Sequence, residues 1–504
     1  MLFDPEAGDD GAFLWTEDNS GALTVYSPVS FTSIEERTFD TGTGTDTFSI
    51  SSDNLPGVNS GATVLGANGN GDTEVSFGDE ATTFAHDAAN DTIALEIGTV
   101  VDDITVTPAS GVAIVVNTGN GVDLLNYNAP TGTSVTKVNL EAGVISNASV
   151  GGVSYTSVEN LNVIGQDSGL SSDSALNVLG TALDDRFIYT PDGVRAGRIE
   201  LEGASPKVMF ADIGGTLTLE GDDGTGSGDD AGDEVVVLGS GGADVFDVDA
   251  DGRTIERIDD GTALKALNVD GTVESATILG LGNDDQFNVT ALPVSSTSAM
   301  HLVIMGGIGT DALDVAGSSQ SSHYRPGPTA DEGRLIYSDS SGDAQLTIDF
   351  TGLEPIVDNV SAANLTVSGT NAANAISYLQ SPGADGRVAV DGFEVIDFTN
   401  KGQLTVNASG GDDAISIDAV AALTTPITVN GGASTSGDAV QIVNSSAAAA
   451  VTPSGAGSMD IDLDGDSSND VTLAGIESAE VDADGSGDID IVGTAGSDTL
   501  VHTP

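Results

Sequence analysis

The chain has no cysteine in its 504 residues. That excludes a disulfide framework and Cys-ligated structural zinc. Basic residues are nearly as scarce: 13 Lys and Arg stand against 78 Asp and Glu, a formal net charge of -65. Nucleic acid is excluded as a natural partner, because phosphate binding needs a surplus of Lys and Arg. An anionic membrane surface repels such a chain too. Aromatics are limited to 14 Phe, 7 Tyr and 1 Trp, so any core must be aliphatic, and platforms for stacking sugars are few. No apolar run approaches the roughly 18 residues that cross a bilayer, so no transmembrane segment is expected. The N-terminus lacks the basic and apolar regions of a secretory leader. No segment with a 3.6-residue apolar period and capping residues is present either.

Apolar residues are nonetheless plentiful at 39%, too many for a disordered acidic polymer. They alternate with polar ones in short runs. Examples are Ala22 to Tyr26, Asp103 to Val106, Gly215 to Leu219, Gln403 to Val406 and Asp460 to Asp464. Alternation bounded by Gly, Asn, Asp and Ser reads as β-strand, and the fold class expected is all-β.

One unit recurs: Gly, four residues, Asp, then alternating apolar residues. Its copies are Gly180/Asp185, Gly239/Asp244, Gly280/Asp285, Gly306/Asp311 and Gly493/Asp498, with Gly369/Asn374 as an amide variant. Thr41/Asp46, Thr118/Asp123 and Ala408/Asp413 keep the Asp without the Gly. A second signal often precedes the unit, an apolar residue followed by Glu, at Val158-Glu159, Leu353-Glu354, Phe393-Glu394 and Ile476-Glu477. The Asp spacings cluster near multiples of about 20, which predicts a parallel β-solenoid of roughly 20-residue coils. An array of β-sandwich domains is the alternative. Phe187, Phe246, Phe287 and Leu313, each just after a motif Asp, are expected to be buried in equivalent places. Residues 1–31 hold the only Trp, Trp15, and suit a terminal cap or docking segment. Residues 32–317 and 335–504 read as solenoid repeats. Residues 318–334, with His323, Tyr324 and Arg325, read as a non-repeat loop insertion. The last residues stop within a repeat unit, so a continuation or a missing C-terminal cap is expected.

The segment Gly306-Gly307-Ile308-Gly309-Thr310-Asp311-Ala312-Leu313-Asp314 follows the pattern GGxGxDxUx, with U a large apolar residue. It resembles the hemolysin-type (RTX) calcium-binding nonapeptide. The wider pattern is similar to the Asp/Gly/Val repeat arrays of large bacterial and archaeal surface proteins. The resemblance implies several Ca²⁺ ions held between coils by Asp carboxylates and turn carbonyls, with Asp46, Asp123, Asp185, Asp244, Asp285, Asp311, Asp413 and Asp498 as candidate ligands. The same turn also forms without metal, because Asp can bond its own backbone. Two acidic clusters add candidates on chemistry alone. Asp460, Asp462 and Asp464 alternate along one run, followed by Asp466 and Asp470, and a row of like charges on one face calls for a bridging cation. Asp482, Asp484 and Asp488 carry part of an EF-hand loop but lack its final Glu.

For catalysis the sequence offers little. The four histidines form no metal-binding pair, and no catalytic residue is assigned. The expected function is an extracellular structural protein of a surface layer, fibre or adhesin, stabilised by calcium and able to self-associate, with cell-surface polysaccharide as a further partner. The alternatives are a polysaccharide-active β-helix enzyme, which needs a basic groove, and a carbohydrate- or ice-binding module, which needs a flat ladder of Thr. Thr is frequent, but in sequence it does not recur at one repeat position.

Overall fold

The computed structural model describes strands between Leu2 and Ile491 and no helix among the described residues. Side chains are described at Thr92–Leu95 and over 103–482, apart from 133, 167–173, 222–231, 251–252, 291–300, 381–384, 420–422 and 444–448. The chain forms two compact units, Met1–Val237 with Thr262–Val273, and Leu238–Gly261 with Glu274–Pro504. The strands gather in two large sheets of mixed parallel and antiparallel pairing.

In the first unit the chain passes alternately between the sheets. Asp91–Ile97 pairs in parallel with Val112–Asn117, and the intervening Asp103–Thr107 pairs in parallel with Leu124–Asn128. One turn carries the chain from Asp91 to its partner Val112, and from Asp103 to its partner Leu124. This is the winding of a β-solenoid with coils close to the expected length. Sandwich domains have antiparallel neighbours instead.

The coils are not uniform. At intervals the chain inserts a three-strand antiparallel meander into one sheet. In Val135–Asn139, Val144–Asn147 and Val153–Thr156, the third strand stacks on the preceding coil at Val112–Asn117. The first strand supports the following coil at Ala175–Leu179. The chain thus skips two strand positions forward and fills them backwards. Arg186–Gly193, Ala196–Leu201 and Lys207–Ala211 repeat the device in the other sheet. The second unit has it at Ser321–Thr351, Ala375–Phe398 and Ala449–Ala474. Residues 318–334, expected as a loop, are therefore mostly strand: Ser321–Pro326 and Glu332–Ser338 lie within a sheet, joined by a short turn. The meanders also explain why the motif spacings are unequal. The longer steps, Asn374 to Asp413 and Asp244 to Asp285, each span antiparallel strands, whereas the shorter step from Asp285 to Asp311 makes a simple coil.

Inward positions alternate with outward ones, as in Val112–Asn117, where Val112, Ile114 and Val116 are buried. Full burial of such a side chain contributes about 1.5–3 kcal/mol. Phe187, Phe246, Phe287 and Leu313 are all fully buried. Phe246, Phe287 and Leu313 share one register across three coils, with the two Phe rings stacked at 5.2 Å. Phe187 occupies the first unit and pairs with Val235. In the N-terminal segment, Leu2–Glu6 and Asp10–Leu14 form an antiparallel pair, and Leu2 and Phe3 pair in parallel with Ser49 and Ile50.

Candidate metal centre

The motif Asp residues among those described are buried, and several staple coil to coil. The backbone N–H of Asp244 donates to Asp285 Oδ1 at 2.7 Å, and that of Asp285 to Asp311 Oδ1 at 2.8 Å. Asn374 N–H reaches Asp413 Oδ1 at 2.7 Å, and Asp413 N–H reaches Asp438 Oδ1 at 2.8 Å. In the first unit Asp185 N–H donates to Asp233 Oδ1 at 2.7 Å. At the first rung of two ladders Oδ2 folds back on its own turn: Asp185 Oδ2 accepts from Thr181 N–H at 2.5 Å, and Asp244 Oδ2 from Ser240 N–H at 2.6 Å. The glycine five residues earlier follows from this. A Cβ on Gly180, Gly280 or Gly306 would lie 2.1, 2.3 or 2.5 Å from Oδ2 of Asp185, Asp285 or Asp311. The apolar-Glu signal marks where ladders end: Glu159 Oε2 accepts from Asp123 N–H at 2.8 Å, and Glu477 Oε2 from Asp438 N–H at 2.7 Å.

Burial, then the Asp311 and Asp244 carboxylates, push Asp285 up to about 6 against the hydrogen bond from Asp244 N–H. Burial also raises Asp413, helped by Asp438. The second oxygens of Asp285, Asp311, Asp413 and Asp438 are buried without a hydrogen-bond donor. Burial, then Glu354, lift Glu394 to about 7.

The outward acidic cluster differs. The strand Ser458–Asp462 ends at Asp462, and the chain then turns through Gly465 (φ +80°) and Ser467 (φ +71°). Asp462 Oδ1 accepts from Gly465 N–H at 2.7 Å and its Oδ2 from Ser467 N–H at 2.9 Å. The turn brings Asp464 back, and Asp470 enters from the start of the next strand, where its Oδ2 accepts from Leu463 N–H at 2.7 Å. Carboxylate oxygens of Asp462, Asp464 and Asp470 lie within 4.8 Å of one another. Asp470 is buried and its carboxyl is raised, by burial first and then by Asp464, Asp462 and Asp466. Three hard oxygen donors on a tight turn fit a calcium ion.

Asp462 and Asp464 thus come together as candidate ligands, while Asp460 stays on the strand and accepts from Thr472 Oγ1 at 3.2 Å. Asp464 lies in the turn rather than on a strand face. Asp470 replaces Asp460 in the cluster, and its signal was the Gly-centred turn that folds the run back. Asp123, Asp185, Asp244, Asp285, Asp311 and Asp413 sit on the interior ladders. Asp482 is exposed at the end of the strand Ser478–Asp482. Asp46, Asp484, Asp488 and Asp498 lie outside the described residues.

The basic cluster is tied up locally. Arg334 makes a two-pronged pair with Asp349, which also meets His301 Nε2 at 2.8 Å. His323 Nε2 lies 2.8 Å from Ser368 Oγ, and burial, then Arg325, lower its pKa to about 4. A Thr ladder does exist. Thr366, Thr405, Thr428 and Thr472 are register partners on four adjacent parallel strands, half-exposed, and Ser368, Asn407, Asn430 and Ala474 form a second row. The four residues of each row are uncharged, with Asp460 the register neighbour beyond Thr472, and side-chain hydrogen bonds brace them, such as Thr405 Oγ1 to Asn364 Oδ1 at 3.0 Å and Asn430 Nδ2 to Asn407 Oδ1 at 2.7 Å. Meanders between the copies hide this register in the sequence.

No family model matches the chain, and no curated protein is similar to it.

Proposed function

We propose that this protein is an extracellular, non-catalytic structural repeat protein of a surface layer, fibre or adhesin, stabilised by calcium at exposed acidic turns. The observation that carries the reading is the convergence of Asp462, Asp464 and Asp470 on one turn. A divalent ion there relieves the mutual repulsion of three carboxylates and ties the strand ending at Asp462 to the one beginning at Val471. Binding confined to the folded state stabilises it by mass action. The interior ladders hold coil to coil through backbone N–H to carboxylate bonds, and the reading places calcium at the exposed turn. With a net charge of -65, contact between copies needs cations to screen it, so assembly is expected to depend on calcium and to reverse on chelation.

Calorimetric titration of chelator-treated protein with CaCl₂ tests the metal reading. Saturable heat that is lost in the Asp462→Asn/Asp464→Asn variant supports it; no saturable heat in the wild type overturns it. Light scattering with and without calcium tests assembly.

One observation favours a second reading. The neutral Thr and Asn face, on a chain this acidic, suits an uncharged ordered partner such as a neutral polysaccharide, as a carbohydrate-binding module requires. Retention on insoluble neutral glycan, lost in Thr405→Glu/Thr428→Glu, would favour that reading over the first.

A further inference from the structure

Inside the second unit, Lys401 Nζ lies 3.0 Å from Asp358 Oδ1, and both side chains are fully buried. Strand pairing fixes this proximity. Ile356–Ser361 and Ile396–Phe398 are parallel neighbours with Asp358 opposite Phe398, and Lys401 makes a bridge with Ala362 just beyond. Nζ also faces the carbonyls of Asp358 at 3.3 Å, Thr399 at 3.2 Å and Val360. Asp358 Oδ1 accepts from Val360 N–H at 3.1 Å. Its Oδ2 is buried, with the hydroxyls of Tyr337 and Ser322 against the carboxyl.

Two outcomes are open to such a pair. It can persist as ions, with the ammonium capping chain carbonyls. It can also move one proton from Nζ to the carboxyl, which leaves a neutral amine against a neutral acid. Withdrawal from water favours the second form, because desolvating two ions costs several kcal/mol each. Burial lowers Lys401 and raises Asp358, with each partner opposing the shift in the other. Nζ is held against the carboxyl, 3.0 Å from Oδ1, the oxygen bonded to the carbon that an amine would attack.

We propose that Lys401 and Asp358 condense into an intramolecular isopeptide bond. The Nζ lone pair attacks Asp358 Cγ of the protonated carboxyl. The Cγ–Oδ2 bond breaks, and the departing oxygen leaves as water with its own hydrogen and one from Nζ. No oxidant, reductant or activating group enters. The product is a neutral amide, whose remaining N–H can donate to the Val360 carbonyl. It replaces a buried ion pair with a covalent tie between neighbouring coils.

The test uses mature full-length protein, denatured after folding. Its intact mass is expected about 18 Da below the sequence mass, the loss of one water. Trypsin separates the two readings without any variant. No Lys or Arg follows Lys401, so an unlinked chain releases Val388–Lys401 and a separate 402–504 fragment. A linked Lys401 resists cleavage, and one product joins 335–387 to 388–504. Lys401→Arg is expected to restore the full mass and the cleavage. Full mass with a free Val388–Lys401 peptide overturns the proposal. So does a loss of water with that peptide still released, since dehydration at an Asp-Gly step elsewhere explains it.

Discussion

At the residue scale, the motif is a steric statement as much as a chemical one. At Gly280 and Gly306, five residues before the Asp, the carboxylate occupies the space that a Cβ would need; the Ala408 and Asp413 copy is built without that glycine. Gly306→Ala is expected to destabilise by about 2–4 kcal/mol, a loss of the size that follows when a buried bonded carboxylate is displaced. Gly271→Ala, where a Cβ meets nothing within 4 Å, is expected to be neutral or slightly stabilising. Urea titration of the two variants side by side decides it, and equal midpoints would sink the steric account. The ladder also contains its own control. Asn374 holds a rung with an amide, its Oδ1 accepting from Thr370 N–H at 2.8 Å. Asp285→Asn is therefore expected to fold, and to gain stability at pH 8 relative to pH 4, because it removes a buried charge that is costly only when ionised.

At the element scale, much was legible and the rest was hidden for a definite reason. Strand identity follows from alternation, and Phe246, Phe287 and Leu313 fall in one register, as the motif implied. Parallel and antiparallel strands carry the same alternation, however, so nothing local distinguishes Glu332–Ser338, antiparallel to both its neighbours, from a coil strand. The Pro and Gly of its preceding turn looked like a loop for that reason. The acidic site was half legible: Asp462 and Asp464 stand in the run, but Asp470 joins only through the turn at Gly465. The middle strand is part of the core. Leu335 is fully buried, and Leu335→Ala is expected to cost about 2–5 kcal/mol, read as a lowered denaturation midpoint with native far-ultraviolet dichroism below the transition. A change under about 0.5 kcal/mol, the size typical of a surface substitution, would mean that this strand packs outside the core.

At the scale of the whole molecule, charge sets the response to conditions. Asp285 and Glu394 are raised to about 6 and about 7. The stability they contribute is full below the ordinary carboxylate range and is lost as pH rises through those values. Asp349 opposes this. Burial pulls it up, but hydrogen bonds from Arg334 and His301 outweigh burial and lower it; the pair is half-exposed, so its share is small. The melting temperature is therefore expected to be higher at pH 5 than at pH 8, by about 2–4 °C for each kcal/mol recovered. Calorimetry at both pH values checks it, and a lower value at pH 5 would refute it. Added NaCl should raise melting at pH 8 as screening relieves a net charge of -65.

The backfilled meanders also dictate the order in which the protein can be completed. In the second unit Met300–Ile308 awaits Ala344–Thr351, while the earlier-made Ser321–Pro326 belongs two places further along and supports Asn364–Ser368. A nascent chain that has reached Pro326 has therefore laid a strand across an empty slot, with two positions still to be synthesised behind it. At about 4.8 Å per strand, that leaves roughly 14 Å between backbones that later share one sheet. Until residue 351 emerges, the growing end cannot be sealed. The permissible stopping points for a shortened version thus fall after a finished meander, near residues 351, 398 and 474, and not at arbitrary multiples of a coil.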